Sequence, residues 1–305
     1  MTQFQRLDPR AHERSGFPAM TPQSNLRGAL LGLLGMGMFA CTDITIKYLG
    51  AGYHPFQIIF FAGILSVPIV ALYAMAGPAD AGLRPRQPRL MALRCGFVLL
   101  NTIFGTYAFA SLPLAQCYAI FFTMPILIAL LSWPVLGEKI DPLRGVAIVL
   151  GLGGVIIALD PGRATLGWGH VAALAGALAG AVNYVIMRQT GRAERTAVLI
   201  LYPLMLQTAV AALVLPWVYL PMPLADLGRT GFMSLTTFIG YFLIIAAYRR
   251  APGVVVAPMQ YSQIIWAAIM GAVLFGERMS GQMVLGTALI VASGIAIVAR
   301  QDKPA

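Results

Sequence analysis

Asp43 stands in an otherwise apolar run, 28–49, with Lys47 four residues further on. A carboxylate there is costly unless it faces a wet cavity or a partner. Two chemistries fit it. One is functional: Asp43 takes a proton, or holds the cationic part of a solute. The other is local: an ion pair with Lys47, one helical turn away. Lys47 can also snorkel to the interface. The two are compatible, since a pair that breaks on protonation is a switch.

A second group lies in the apolar run 252–278. Gln260, Gln263 and Trp266 sit near its middle, just after Pro258. On a helix Gln263 and Trp266 share a face, with Met259 and Met270 on the same stripe. A tryptophan far from both ends of a span is no interfacial belt residue, whereas Trp168 and Trp217 are placed as belt residues. Trp266 can stack on a flat or apolar solute while the two amides hydrogen-bond it. The competing reading is helix packing with polar glue. Asn101, Tyr107, Tyr118, Asn183 and Tyr241 each fall in apolar runs and carry the same two readings. Together they predict a largely uncharged polar interior, suited to an amphipathic or zwitterionic solute. Clustered basic residues, which a phosphate site needs, do not stand inside the runs.

Glu138 and Glu277 end two of the runs, in Gly-Glu-Lys and Gly-Glu-Arg. They are expected to hold span ends together or to gate, with Lys139 and Arg278. Cys41, Cys95 and Cys117 have no metal-ligand spacing and read as inert thiols. No catalytic residue, cofactor or metal site is predicted, and no phosphate-binding or hydrolase motif appears.

The elements that must position these residues are apolar helices. The chain has 305 residues, 59% hydrophobic and 10% charged. Runs long enough to cross a bilayer recur almost throughout. The spacing predicts an all-α integral membrane protein with ten transmembrane helices, about 28–49, 56–76, 91–110, 114–136, 143–159, 168–187, 197–219, 230–248, 252–275 and 281–299. Residues 1–26 and 301–305 are expected as cytoplasmic tails, the first disordered and without the apolar region of a secretory signal. With both termini inside, 17 of the 21 lysines and arginines fall on the cytoplasmic side and 4 outside. This accounts for the net charge of +10 without a nucleic-acid partner.

The chain also repeats itself. An offset of 139 superposes Pro113 on Pro252, Gly137 on Gly276 and Glu138 on Glu277, and an offset of 141 superposes Lys47 on Arg188. Five spans is an odd number, so the second half enters from the opposite side. Residues 27–160 and 161–300 are therefore expected as two inverted five-helix repeats, an arrangement of secondary carriers that alternate access around a midplane site.

The two span ends Leu136–Lys139 and Phe275–Arg278, each followed by a Gly-rich span, resemble those of the EamA family in the drug/metabolite transporter superfamily. Pro125, Asp43 with Lys47, and the run Ala257-Pro258-Met259-Gln260-Tyr261 add to the resemblance, which covers about 28–300. Relatives with a similar first span often carry an arginine after Phe-Phe in span 2, where this chain has Ala62. The resemblance implies an inner-membrane carrier of small organic solutes: an exporter of amino acids or amphipathic compounds, or an uptake carrier of the riboflavin or S-adenosylmethionine type. The expected partners are a small-molecule substrate and the lipid bilayer, and a homodimer is compatible with the pattern. A lipid-acting membrane enzyme would need clustered catalytic residues at one interface, which are lacking. A membrane scaffold gives no reason for the inverted repeat.

Overall fold

The computed structural model describes residues 22–75, 84–136, 142–159, 166–190, 194, 196–248, 250–251 and 253–299. Glu138, Lys139 and both predicted tails apart from 22–26 lie outside them. The helices are α1 (Pro22–Gly50), α2 (Pro55–Met75), α3 (Pro88–Ser111), α4 (Leu114–Phe121), α5 (Met124–Leu136) and α6 (Pro142–Leu159). Then follow α7 (Trp168–Thr190), α8 (Thr196–Val218), α9 (Leu224–Tyr248), α10 (Gly253–Val256), a 3-10 turn (Ala257–Tyr261), α11 (Ser262–Phe275) and α12 (Gly281–Ala299). Among the described residues, 7 helical stretches are long and apolar enough to cross a membrane, and shorter apolar helices accompany them.

Two expected spans are broken. The helix through 114–136 stops at Phe121 and restarts at Met124. Pro125 has no N–H to give the carbonyl of Phe121, and its ring crowds that carbonyl. Thr123 closes the break, its Oγ1 donating to the Ile120 carbonyl at 2.7 Å. Likewise Pro258 sits in the first turn of the 3-10 segment before α11. The change of helical period there corrects the expected stripe: Gln263, Trp266 and Met270 keep their α-helical spacing, but Met259 belongs to the 3-10 turn and packs against Gly32 of α1.

Lipid supplies little hydrophobic force between helices, so they associate where small residues let backbones meet. Such contacts pair α1 with α9, α3 with α7, α2 with α8 and α6 with α12. Gly35 and Gly240 bring α1 onto α9, and Gly154 lies against Gly286 where α6 crosses α12. Polar pairs join α1 to α9 and α3 to α8. Thr42 Oγ1 is 3.0 Å from Oγ1 of both Thr236 and Thr237, and Thr102 donates to Gln207 at 2.9 Å. Large aliphatics such as Val149, Leu213 and Val273 face outward, as lipid-facing helices require. Trp168 (78% exposed) and Trp217 (81%) stand at helix ends, where belt tryptophans belong.

Candidate functional site

Asp43 occupies the last third of α1, half-buried, and accepts a hydrogen bond from the Tyr118 hydroxyl of α4. Tyr118 is in turn embedded in rings. Phe109 stands edge-on to it at 5.3 Å and stacks on Phe121 at 5.5 Å. Phe122 lies 6.0 Å from Tyr118 and 5.2 Å from Tyr261. Phe121 closes α4 and Phe122 stands in the break that follows it. Sequence reasoning missed this aromatic cluster: its members come from α3, α4 and the 3-10 turn, and no spacing rule links them.

Lys47 does not pair with Asp43. Its ammonium reaches across to Glu277, just past the end of α11, at 2.6 Å, and donates to the Leu112 carbonyl at 2.6 Å. The second oxygen of Glu277 accepts the Leu114 N–H at 2.9 Å. One ion pair thus ties together α1, the α3–α4 connection and the end of α11. The local fold prepares it. Gly276 ends α11 in the left-handed region, φ 65°, which a glycine adopts without strain. The Glu277 N–H then returns to the Gly271 carbonyl at 2.9 Å, folding the carboxylate back over its own helix. Glu277 was expected to act with Arg278. Arg278 instead lies exposed beside a small crevice that Gln116 also lines.

Beyond the ion pair opens a cavity of about 930 Å³, lined by Lys47, Tyr48, Tyr53, Asp226, Arg229 and Phe275 among others. Asp226 accepts hydrogen bonds from Tyr53, at 2.7 Å, and from Arg229. The Arg229 guanidinium lies over the Tyr48 ring at 4.6 Å. Tyr53 stands outside the spans, and the Asp226 carboxylate it donates to holds its phenol above the ordinary tyrosine range. Along the chain the cavity is lined from Lys47 to Tyr53, and Asp43 stands one helical turn before Lys47 on α1.

The remaining predicted residues divide. Trp266 lies against Gly37 of α1, and its indole N–H is buried with no partner. The side-chain carbonyl of Asn183 is also buried and unpartnered. Gln260 and Gln263 are half-buried in the 3-10 turn and α11. Asn101 serves packing: its amide donates to the Gly176 carbonyl at 2.8 Å, joining α3 to α7. Tyr241 stands edge-on to Phe39 at 5.1 Å, and Tyr107 is largely exposed. Glu138 lies outside the described residues. Arg94 is only 7% exposed within α3 and donates to the Leu199 carbonyl at 2.6 Å.

The family model of the EamA-like transporter family matches residues 26–159 and again 167–299. The chain belongs to that family. It is similar to a riboflavin transporter of Rhizobium johnstonii, 25% identical, covering 80% of this chain and 81% of the relative. It is similar also to an S-adenosylmethionine uptake transporter of Rickettsia bellii, 22% identical over 89% and 93% of the two chains. A pseudopaline exporter of Pseudomonas aeruginosa is 24% identical over 88% and 95%. A crystal structure sharing 19% identity superposes with a TM-score of 0.62, covering 92% of this chain and 99% of the other, and shows the same fold. The EamA chain is thus a multi-pass membrane transporter for a small molecule, and its relatives are named as transporters rather than enzymes.

Proposed function

We propose that this protein carries a small amphipathic organic solute bearing a cationic group across the inner membrane by alternating access. Asp43 engages that group or a coupling proton. The observation that carries the reading is Asp43 itself: a carboxylate within a span that accepts a phenol hydrogen bond and, among the described residues, has no cation within ion-pair distance. Such a group is costly in lipid and is retained where function needs it. The buried and unpartnered Trp266 N–H and Asn183 carbonyl support a binding region, since each lacks the partner a buried polar atom ordinarily has. Gln260, Gln263, Tyr118 and Tyr241 complete the proposed contacts.

In this reading ten spans form two inverted five-helix repeats, 27–160 and 161–300, with α4–α5 and α10–α11 each counted as one broken span. The twofold family match supports it. So does the packing: exchanging the halves turns the α1–α9 pair into α7–α3, and returns α2–α8 and α6–α12 to themselves. The charge asymmetry supports cytoplasmic termini, which makes the 930 Å³ cavity an outer vestibule.

A second reading within the family is uptake of a cationic heterocycle of the S-adenosylmethionine type. The ring cluster of Phe109, Tyr118, Phe121, Phe122 and Tyr261 beside Asp43 favours it, because rings and a carboxylate together suit a flat base joined to a positive centre. Proteoliposome transport decides between solutes. Uptake or exchange of labelled amino acids, riboflavin and S-adenosylmethionine is measured with and without a pH gradient, for the parent and for Asp43→Asn. Transport that survives Asp43→Asn with its pH dependence intact removes Asp43 from the mechanism.

A further inference from the structure

Lys47 has two carboxylates within its range, and the structure shows it with one. Asp43 lies one helical turn below it on the same helix, the spacing at which an aspartate and a lysine meet. Lys47 turns the other way, to Glu277 and the Leu112 carbonyl. Lys47 also lines the vestibule, as does Phe275, two residues before Glu277. Cys117, fully buried at 0% exposure, lies one turn into α4, near enough to Asp43, Lys47 and Glu277 to interact with their charges.

We propose that Lys47 alternates between Glu277 and Asp43, so that the charge on Asp43 sets the state of the outer gate. This rests on the reading of Asp43 as the group that is loaded. With Asp43 neutralised by a proton or by the cationic group of a solute, Lys47 stays with Glu277. Leu112, Leu114 and the end of α11 are then held together and the vestibule is shut off. With Asp43 bare, an uncompensated carboxylate inside the membrane draws the nearest cation down one turn. Glu277 then loses the ammonium, the three elements part, and the vestibule joins the Asp43 site. Lysine suits the exchange: its ammonium is a compact charge on a flexible four-carbon stem with three rotatable donors. The groups that face Asp43 electrostatically are Tyr118 and Cys117 of α4, Cys41 of α1 and Tyr241 of α9. None of these is a cation, so Lys47 has no rival among them. The coupling is reciprocal: whatever loads Asp43 favours the closed gate, and closing the gate favours loading. The ligand class follows as well. A solute that closes this gate brings positive charge to Asp43, or travels with a proton that does.

Cys117 reports the gate. In a Cys41→Ala, Cys95→Ala background, intact cells are treated from outside with a small membrane-impermeant thiosulfonate at one fixed pH, and Cys117 modification is timed. Glu277→Gln is expected to speed it about tenfold. Asp43→Asn is expected to slow it below the parent. The double variant Asp43→Asn/Glu277→Gln is expected to label at the fast rate, because Asp43 acts through the ion pair that the second change removes. Tyr118→Phe, which removes the hydrogen bond that favours the charged carboxylate, is expected to slow labelling as Asp43→Asn does, and it answers the question even where Asp43→Asn fails to fold. Labelling that ignores both Asp43→Asn and Tyr118→Phe overturns the exchange, even if transport still requires Asp43. Labelling that follows the expected order upholds the exchange, even if Asp43→Asn leaves the pH dependence of transport unchanged. That last combination sinks the loading role alone.

Discussion

Gly271 leaves the space that the Glu277 carboxylate occupies: a Cβ added there would lie 2.7 Å from Glu277 Oε2. The atom in the way is the end of a flexible side chain, so the helix can accept the methyl group but the carboxylate must move. The ion pair with Lys47 and the hydrogen bond from Leu114 then stretch together. Gly271→Ala is expected to leave the fold intact, with Tm shifting by a few degrees at most, while Cys117 labelling from outside rises several-fold. Glycine-to-alanine changes inside helices ordinarily favour the helix by about 1 kcal/mol. A faster label without a lower Tm is therefore the signature of a displaced carboxylate.

Where the obstacle is backbone, the outcome reverses. A Cβ at Gly286 would lie 2.4 Å from both the Ala158 nitrogen and the Gly154 carbonyl oxygen. No side-chain rotation relieves that contact, so α12 and α6 must separate, breaking the hydrogen bond from Ser293 to the Ala147 carbonyl. Gly286→Ala is expected to lower Tm by several degrees and to reduce the yield of monodisperse protein. Gly153→Ala, one residue from Gly154 on α6 but with open space around its Cβ position, is expected to be silent in the same assay.

Most of the scaffold was legible in the sequence, because lipid writes composition directly: apolar runs, basic loops and belt tryptophans each report one physical requirement. The family was legible through the Gly-Glu span ends. The site was legible only where its chemistry was local. Asp43 announced itself as a carboxylate among apolar residues. An ion pair with Lys47 was one of its two readings, and Lys47 instead meets Glu277, 230 positions away, which Gly276 folds back toward it. The signal was present in Gly-Glu closing a span, but it pointed to the adjacent Arg278 rather than to Lys47. The breaks at Phe122–Thr123 and Ala257–Tyr261 were hidden for a related reason: Pro125 and Pro258 mark where hydrogen bonds are lost, not which way the chain turns.

The vestibule wall makes a pH prediction. Tyr53 donates to Asp226 at 2.7 Å, and that carboxylate holds the phenol above its ordinary range. A phenol whose folded-state pKa is raised adds stability fully below its unfolded value, about 10, and loses it as pH rises through the folded value. The Tm difference between the parent and Tyr53→Phe is expected to be constant from pH 6 to about 9 and to vanish at higher pH. A difference that grows with alkalinity contradicts the hydrogen bond.

Trp266 separates binding from packing. Its indole N–H is buried and makes no hydrogen bond, an arrangement that costs stability when nothing fills it. Trp266→Phe keeps an aromatic ring against Gly37 and removes the orphaned donor. If the indole only packs, the variant is as stable as the parent or more so, and transport is unchanged. If the N–H awaits an acceptor on the solute, stability is again preserved or improved, but KM rises about tenfold, the loss of one hydrogen bond worth about 1 kcal/mol or somewhat more. The second outcome is expected, with kcat changed less than KM because the contact belongs to the loaded state. Thermal unfolding and initial-rate transport on the same preparation measure both quantities, and a Tm preserved or raised with KM unchanged would return Trp266 to the packing of α11 on α1.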